Sequence, residues 1–97
     1  MPGTKVHLAY WLYKDIWHYQ FIGPGLAVLG PVRRTSDPDV IRGIAERGGG
    51  IKNQEARCML DFGINQGKGG ICLTLTDEQC AALQEAKENP GHLSWSG

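Results

Sequence analysis

The sequence predicts an α+β fold in which a mainly antiparallel sheet of about five strands carries two helices on one face, in the order β-β-β-α-β-β-α. Three observations lead to this prediction. Aromatic or alternating apolar residues mark the strands, capping sequences mark the helix starts, and glycine-rich stretches separate the elements. With 97 residues, 41% hydrophobic and 21% charged, the chain is expected to form one domain, residues 1–97, with 92–97 as a C-terminal tail.

The first two predicted strands form a hairpin between Lys5 and Ile22. This segment contains no glycine or proline and holds six of the eight aromatic residues, which favours strands. A turn at residues 14–15 places the apolar side chains opposite one another on one face: Leu12 with Trp17, Tyr10 with Tyr19, and Leu8 with Phe21. A single amphipathic helix is the alternative for this segment.

A third strand and the first helix are predicted after the turn at residues 23–25. Residues 26–34 are typical of a strand, and the Gly-Pro pair at 30–31 requires an edge position, a bulge or a bend. Ser36 or Asp37 is the expected N-cap of the helix, with Pro38 near its first position. Three consecutive glycines at 48–50 are expected to end the helix.

The second half of the chain predicts two further strands and a helix. Apolar residues alternate strictly with other residues over 56–65 and again over 71–75, and a hairpin would pair Ile64 with Ile71, Phe62 with Leu73, and Leu60 with Leu75. Thr76 and Gln79 form a capping box, from which a helix is expected to run to about Glu88. Residues 89–91, Asn-Pro-Gly, are expected to end that helix, and Trp95 to hold the tail against the domain.

Residues Ile71 to Leu83, ICLTLTDEQCAAL, resemble the strand and first helix of ribbon-helix-helix DNA-binding repressors. The resemblance covers about thirteen residues. In this chain Asn-Pro-Gly and a short tail stand where that family has its second helix, and the strand carries no basic base-reading side chains. The DNA-binding function of the family is therefore not transferred to this chain.

Charge and cysteine content narrow the partner classes. Ten basic residues balance ten acidic ones, so the total charge does not predict nucleic acid as a partner. No stretch approaches the roughly 18–20 apolar residues of a membrane helix, so no membrane association is expected. Three cysteines without paired spacing fit a reducing compartment, and a cytoplasmic location is expected.

The second face of the predicted hairpin is the main candidate binding surface. It carries polar and aromatic side chains together: His7, Trp11, Tyr13, His18 and Gln20. Rings with hydrogen-bonding tips are typical of binding surfaces and subunit interfaces. The sequence therefore predicts a non-enzymatic binding or interaction module, most simply a homo-oligomer, with a small molecule or another protein as the alternative partner.

Two other functions remain open. A small-ligand protein or simple enzyme could use His18 or His7 as acid/base in a pocket, with Cys72 as a nucleophile. Weak nucleic-acid contact through Arg33 and Arg34 is the other alternative. No metal site or cofactor is predicted, because the histidines and cysteines lack ligand spacing and the glycine-rich loops do not match phosphate-binding motifs.

Overall fold

A computed structural model describes residues 3–88, with side chains up to residue 85. Within these residues the class is α+β, as predicted, but with four strands and three α-helices rather than five and two. The elements are, in chain order, β1 (Thr4–Tyr13), β2 (Ile16–Ile22), a short 3-10 helix (Pro24–Leu26), β3 (Arg33–Thr35), α1 (Pro38–Arg47), α2 (Gln54–Gln66), β4 (Lys68–Leu75) and α3 (Asp77–Glu88). The predicted helix stop at 89–91 and the tail with Trp95 lie outside the described residues.

The sheet is antiparallel throughout and has the order β3-β2-β1-β4. The β1–β2 hairpin has the predicted register, with Leu8 opposite Phe21 and Trp11 opposite His18. Its two turn residues, Lys14 and Asp15, both have positive φ (52° and 66°), as a turn matching the strand twist requires. Aspartate tolerates that conformation and lysine adopts it less readily, so the flanking strand pairs contribute to holding the hairpin.

The core lies between the sheet and the helices, which contribute buried side chains to the same face of the sheet. Val6, Leu8 and Tyr10 of β1 and Trp17, Tyr19 and Phe21 of β2 are buried there, as the alternation predicts, whereas Leu12 near the turn is exposed. The fully buried side chains of largest volume are Tyr10, Phe21, Leu8, Ile41, Ile44, Leu60, Leu73 and Leu75. One face of the sheet is thus closed by α1, α2 and α3.

The predicted strand over residues 56–65 is wrong, because these residues belong to helix α2. The apolar positions fit both periods. Residues 60, 62 and 64 are spaced two apart, as on one face of a strand, and Leu60 and Ile64 are four apart, as on one face of a helix. The helix begins at the Asn53 cap, whose side chain accepts from the Ala56 amide at 2.9 Å, and ends at Gly67 with φ 86°. Phe62, predicted to face the core, is instead 61% exposed.

Two strand pairings also differ from prediction. β4 pairs with β1, not with residues 56–65, so the first strand of the chain becomes a central strand. The predicted third strand over 26–34 is reduced to the three residues of β3 and a single bridge between Ile22 and Val28. The Gly-Pro pair at 30–31 accounts for the break, because proline cannot donate to a strand ladder.

Both predicted helix caps are confirmed. The Asp37 carboxylate accepts from the Asp39 amide at 2.9 Å, and Pro38 occupies the first helical position of α1. At α3, the Gln79 amide donates to the Thr76 hydroxyl at 3.1 Å, while the Gln79 side-chain oxygen accepts from the Thr76 amide at 2.9 Å. The same glutamine donates from Nε2 to the Arg47 carbonyl at 2.7 Å, which joins the start of α3 to the end of α1.

Buried tyrosines make the fold sensitive to alkaline pH. Burial, together with the charge of Asp61, raises the pKa of Tyr10, and burial raises that of Tyr19 despite the opposing charge of Arg33. As the pH rises through about 10, an unfolded chain therefore loses phenolic protons that the folded chain keeps, and the free energy of unfolding falls. We expect Tyr10→Phe to reduce this fall in urea unfolding measured at about pH 8 and about pH 11.

Tyr13→Phe is the control for that experiment, because it removes an exposed phenolic hydroxyl from the same strand. If both substitutions reduced the alkaline loss of stability equally, burial of Tyr10 would not be its cause.

Candidate functional site

The second face of the sheet carries the side chains that alternate with the buried ones, and we call it the open sheet face. Its members follow from the strand register: Lys5, His7, Ala9, Trp11 and Tyr13 on β1; Ile16, His18, Gln20 and Ile22 on β2; Arg34 on β3; and Lys68, Gly70, Cys72 and Thr74 on β4. The described helices contribute their buried residues to the other face.

The open sheet face brings together all but one of the predicted site residues. His7, Trp11, Tyr13, His18, Gln20 and Arg34 lie on it. Arg33 pairs with Tyr19 and so points to the opposite side of the sheet. Although Arg33 and Arg34 are adjacent in sequence, they cannot act together on one side of the strand.

Three rings form the centre of this face. The Trp11 and His18 rings are stacked, with centroids 5.7 Å apart and planes 11° from parallel. Tyr13 meets His18 edge-on, with centroids 6.2 Å apart, and the Lys14 ammonium lies 5.4 Å from the Tyr13 ring centre. His18 Nδ1 lies 3.0 Å from the Ile16 carbonyl oxygen. Since a carbonyl only accepts, Nδ1 carries the proton in this contact.

A row of four side chains crosses the whole sheet through these rings. Arg34 pairs with His18, His18 with Trp11, and Trp11 with Lys68, so two cations flank two stacked rings. Four neighbouring strands set the outer members of the row roughly 14 Å apart at their backbones. Arg34 and Lys68 are exposed, and within residues 3–85 neither forms an ion pair with a carboxylate.

The next row of residues across the sheet has small side chains at two of its positions, and its third side chain hydrogen-bonds to another segment of the chain. It contains Gln20, Ala9 and Gly70. Gln20 donates from Nε2 to the Gly30 carbonyl at 3.2 Å, which holds the irregular connection before β3 against the sheet. The His7 imidazole covers Gly70, where a Cβ atom would clash with Nε2. Gln20 and His7 therefore border the ring cluster rather than extend it.

Charge is divided between the two layers of the molecule. The strands and the segments joining β1, β2 and β3 carry five basic residues and one acidic residue, whereas the three α-helices carry four basic and eight acidic residues. No carboxylate occupies an outward strand position in the described part of the chain. The balanced total charge conceals this division.

Two basic residues of the helices, Arg42 and Arg57, form ion pairs within the helix layer. Arg42 donates to Asp39 at 3.0 Å and to Asp61 at 3.2 Å, which joins α1 to α2. Although burial alone would lower its pKa, these hydrogen bonds raise the pKa of Arg42 overall. Arg57 forms a second link with Glu46 at 3.1 Å. On the open sheet face, Arg34 and Lys68 are exposed and form no such ion pair among residues 3–85.

Of the residues predicted for an enzymatic role, His7 and Cys72 lie close together, but no histidine lines either of the two cavities described below. Cys72 is exposed and lies directly opposite His7 on the open sheet face, but the His7 ring covers Gly70. A cavity of about 200 Å³ between β1, the 3-10 helix and α3 is lined by Thr4, Val6, Pro24, Leu29, Cys80, Leu83 and Gln84. Another, of about 270 Å³, is lined by Gly50, Lys52, Ala56, Met59, Leu60, Gly70, Ile71 and Cys72. Neither cavity contains a histidine.

An exposed apolar patch on α2 was missed in the sequence. Met59 and Phe62, one helical turn apart, are 66% and 61% exposed. Met59 also borders the 270 Å³ cavity beside the outer edge of β4. Their three-residue spacing was the available signal, but the strand prediction placed Phe62 in the core.

Comparison with known proteins adds no family to this description: no protein family, curated protein or solved structure matches the chain. Among the described helices, none has the length and apolar character required to cross a membrane. In the described residues, no group of three or more His, Cys, Asp or Glu side chains is placed to hold a metal ion. The open sheet face therefore has to be interpreted from its own chemistry.

Proposed function

We propose that this chain is a non-enzymatic binding module and that the open sheet face is its binding surface. The observation that carries the proposal is the ring cluster of Trp11, His18 and Tyr13 on the face opposite the core. Tyr13 is 58% exposed, whereas the aromatic residues on the other face of the hairpin are buried. Rings that combine apolar area with polar tips favour contact with another molecule.

Self-association is part of this proposal. A second copy of the chain could cover the exposed rings, and a homo-oligomer of this kind would place them in a symmetric interface. A cytoplasmic location remains the expectation from the cysteines. Both statements are predictions from composition and exposed surface.

Light scattering tests the self-association. If a second copy covers the rings, the native chain has an oligomeric mass that falls to the monomer mass in Trp11→Ala/His18→Ala while the circular dichroism spectrum is retained. A native chain that is monomeric across the concentration range would reject self-association and leave the open sheet face to a different molecule.

The cost of removing Trp11 tests whether the face serves binding or folding. Trp11 is half-buried and stacks on the His18 ring, so Trp11→Ala should lower the free energy of unfolding by only about 1 kcal/mol. Urea unfolding of a monomeric sample measures this, with the core substitution Leu8→Ala for comparison. A loss as large as that of Leu8→Ala would show that Trp11 is a core residue and contradict the proposal.

A further inference from the structure

From the charge and rings of the open sheet face we infer its ligand class: a single-stranded nucleic acid, whose bases stack on Trp11 and Tyr13 and whose phosphates contact Arg34 and Lys68. This inference rests on the proposed binding role of that face. It departs from the expectation based on total charge, because the division of charge between the sheet and the helices was not visible in the total.

Charge complementarity selects an anionic partner. The row across the sheet ends in Arg34 and Lys68, and both are exposed without a carboxylate partner among residues 3–85. Lys5 on β1 and Lys14 in the turn after it add further positive charge. Asp15, in the same turn, is the one acidic residue among the strands and the segments joining β1, β2 and β3. A second copy presenting the same face would bring like charges together. The symmetric self-association proposed above is therefore the competing occupant of this face, and an anionic partner complements its charge better.

The rings between these cations select a partner that has both bases and phosphates. Aromatic side chains in a positively charged groove are the usual means of binding single strands, since every base has a π-face and the phosphates follow the cations. Trp11 and His18 lie in the same transverse row as Arg34 and Lys68. An anion without bases would use the cations alone and leave the rings unused.

A double helix fits this face less well than a single strand. Base edges in a duplex are read by elements that enter a groove, such as a helix or a two-stranded ribbon. The rings here lie within a four-stranded sheet, and the sheet includes the irregular border at β3. Unstacked bases can reach such a surface, whereas paired bases keep their faces covered.

Fluorescence anisotropy of labelled fifteen-nucleotide oligo(U) and oligo(dT), titrated with the full chain, tests the inference. Two phosphate contacts on a single strand predict a slope of about −1.4 for log K against log salt, which is roughly a sevenfold loss of affinity between 50 and 200 mM salt. Arg34→Ala should reduce the slope by about 0.7. Arg57→Ala is the matched control, because it removes an arginine from the helix layer, and it should leave the titration unchanged.

Ring substitutions test the stacking separately from the charge. Loss of one stacked base predicts a roughly 5- to 140-fold weaker affinity for Trp11→Ala, whereas Trp11→Phe, which keeps a ring, should stay within a few-fold of the native chain. Tyr13→Ala is a second variant with an exposed side chain, and it also should weaken binding. Comparison of the two oligonucleotides shows whether the 2′-hydroxyl contributes.

Three results would overturn the inference. These are no anisotropy change at 50 mM salt, equal affinity for inorganic polyphosphate and oligo(U), or unchanged affinity in both Trp11→Ala and Tyr13→Ala. In each case the proposed binding role is judged separately. It survives if light scattering shows an oligomer that depends on Trp11 and His18, and it fails if Trp11→Ala is as destabilising as Leu8→Ala.

Discussion

Replacing Leu8 with alanine should lower the free energy of unfolding by about 2–5 kcal/mol. Leu8 is 0% exposed and lies in the central strand β1, between Phe21 on β2 and Ile71 on β4. The substitution therefore removes apolar contacts and leaves a cavity that the two flanking strands cannot easily close. Urea unfolding followed by circular dichroism measures the loss.

Leu12→Ala is the matched control for this prediction. Leu12 lies on the same strand and side of the sheet as Leu8, but near the turn, where it is 43% exposed. Its truncation should cost about 1 kcal/mol or less, because much of the side chain is already in water. Equal costs at the two positions would be incompatible with a core centred on β1.

Gly63→Ala should destabilise the protein by about 1–3 kcal/mol, although alanine is usually the better helix former. Gly63 is buried in α2 against β1, and a Cβ atom there would clash with the Tyr10 hydroxyl. The hydroxyl cannot move aside freely, because Gly69 of β4 lies against it on the strand side. A Cβ atom added at Gly69 would lie 2.5 Å from the Tyr10 hydroxyl oxygen. The clash therefore outweighs the helix propensity gained, which is at most about 1 kcal/mol.

Tyr10→Phe provides the rescue experiment. Removal of the hydroxyl oxygen opens the space that the new methyl group needs, so Gly63→Ala should cost less in Tyr10→Phe than in the native chain. The comparison is a double-mutant cycle of unfolding free energies, and we expect a coupling of about 1 kcal/mol between these two contacting positions. Independent, additive effects would show that Gly63 is required for another reason.

The sequence was most informative where local rules and tertiary packing agree. In the β1–β2 hairpin, apolar alternation sets the buried face, and changing the register by one residue would expose Leu8 and Tyr10 together. The Thr76 capping box is likewise a local signal, and its two hydrogen bonds depend only on residues within one turn of the helix.

The sequence was ambiguous over residues 56–65, where the same apolar positions satisfy two periods. Leu60 and Ile64 fit a strand or a helix, and the Asn53 cap and Gly67 stop would have favoured the helix. This one error propagated. It assigned β4 the wrong partner and placed Phe62 in the core.

The candidate site could be assembled from sequence on β1 and β2, but not across the sheet. His18 and Trp11 follow from the hairpin register, whereas the positions of Arg34 and Lys68 depend on long-range strand pairing. The pairing of β1 with β4 and of β2 with β3 depends on tertiary packing, so the residues of each strand alone do not predict it.

With a cationic sheet on one side and acidic helices on the other, the molecule has an electric dipole across its thickness although its net charge is zero. A head-to-tail contact between two copies, with the sheet of one over the helices of the next, would bring opposite charges together. Such a contact would be heterologous and would leave an unmatched surface at each end, so it would extend into open-ended stacks instead of closing as a dimer. Salt would screen this attraction over about 8–10 Å, so we expect solubility to be poorest at low ionic strength near the isoelectric point.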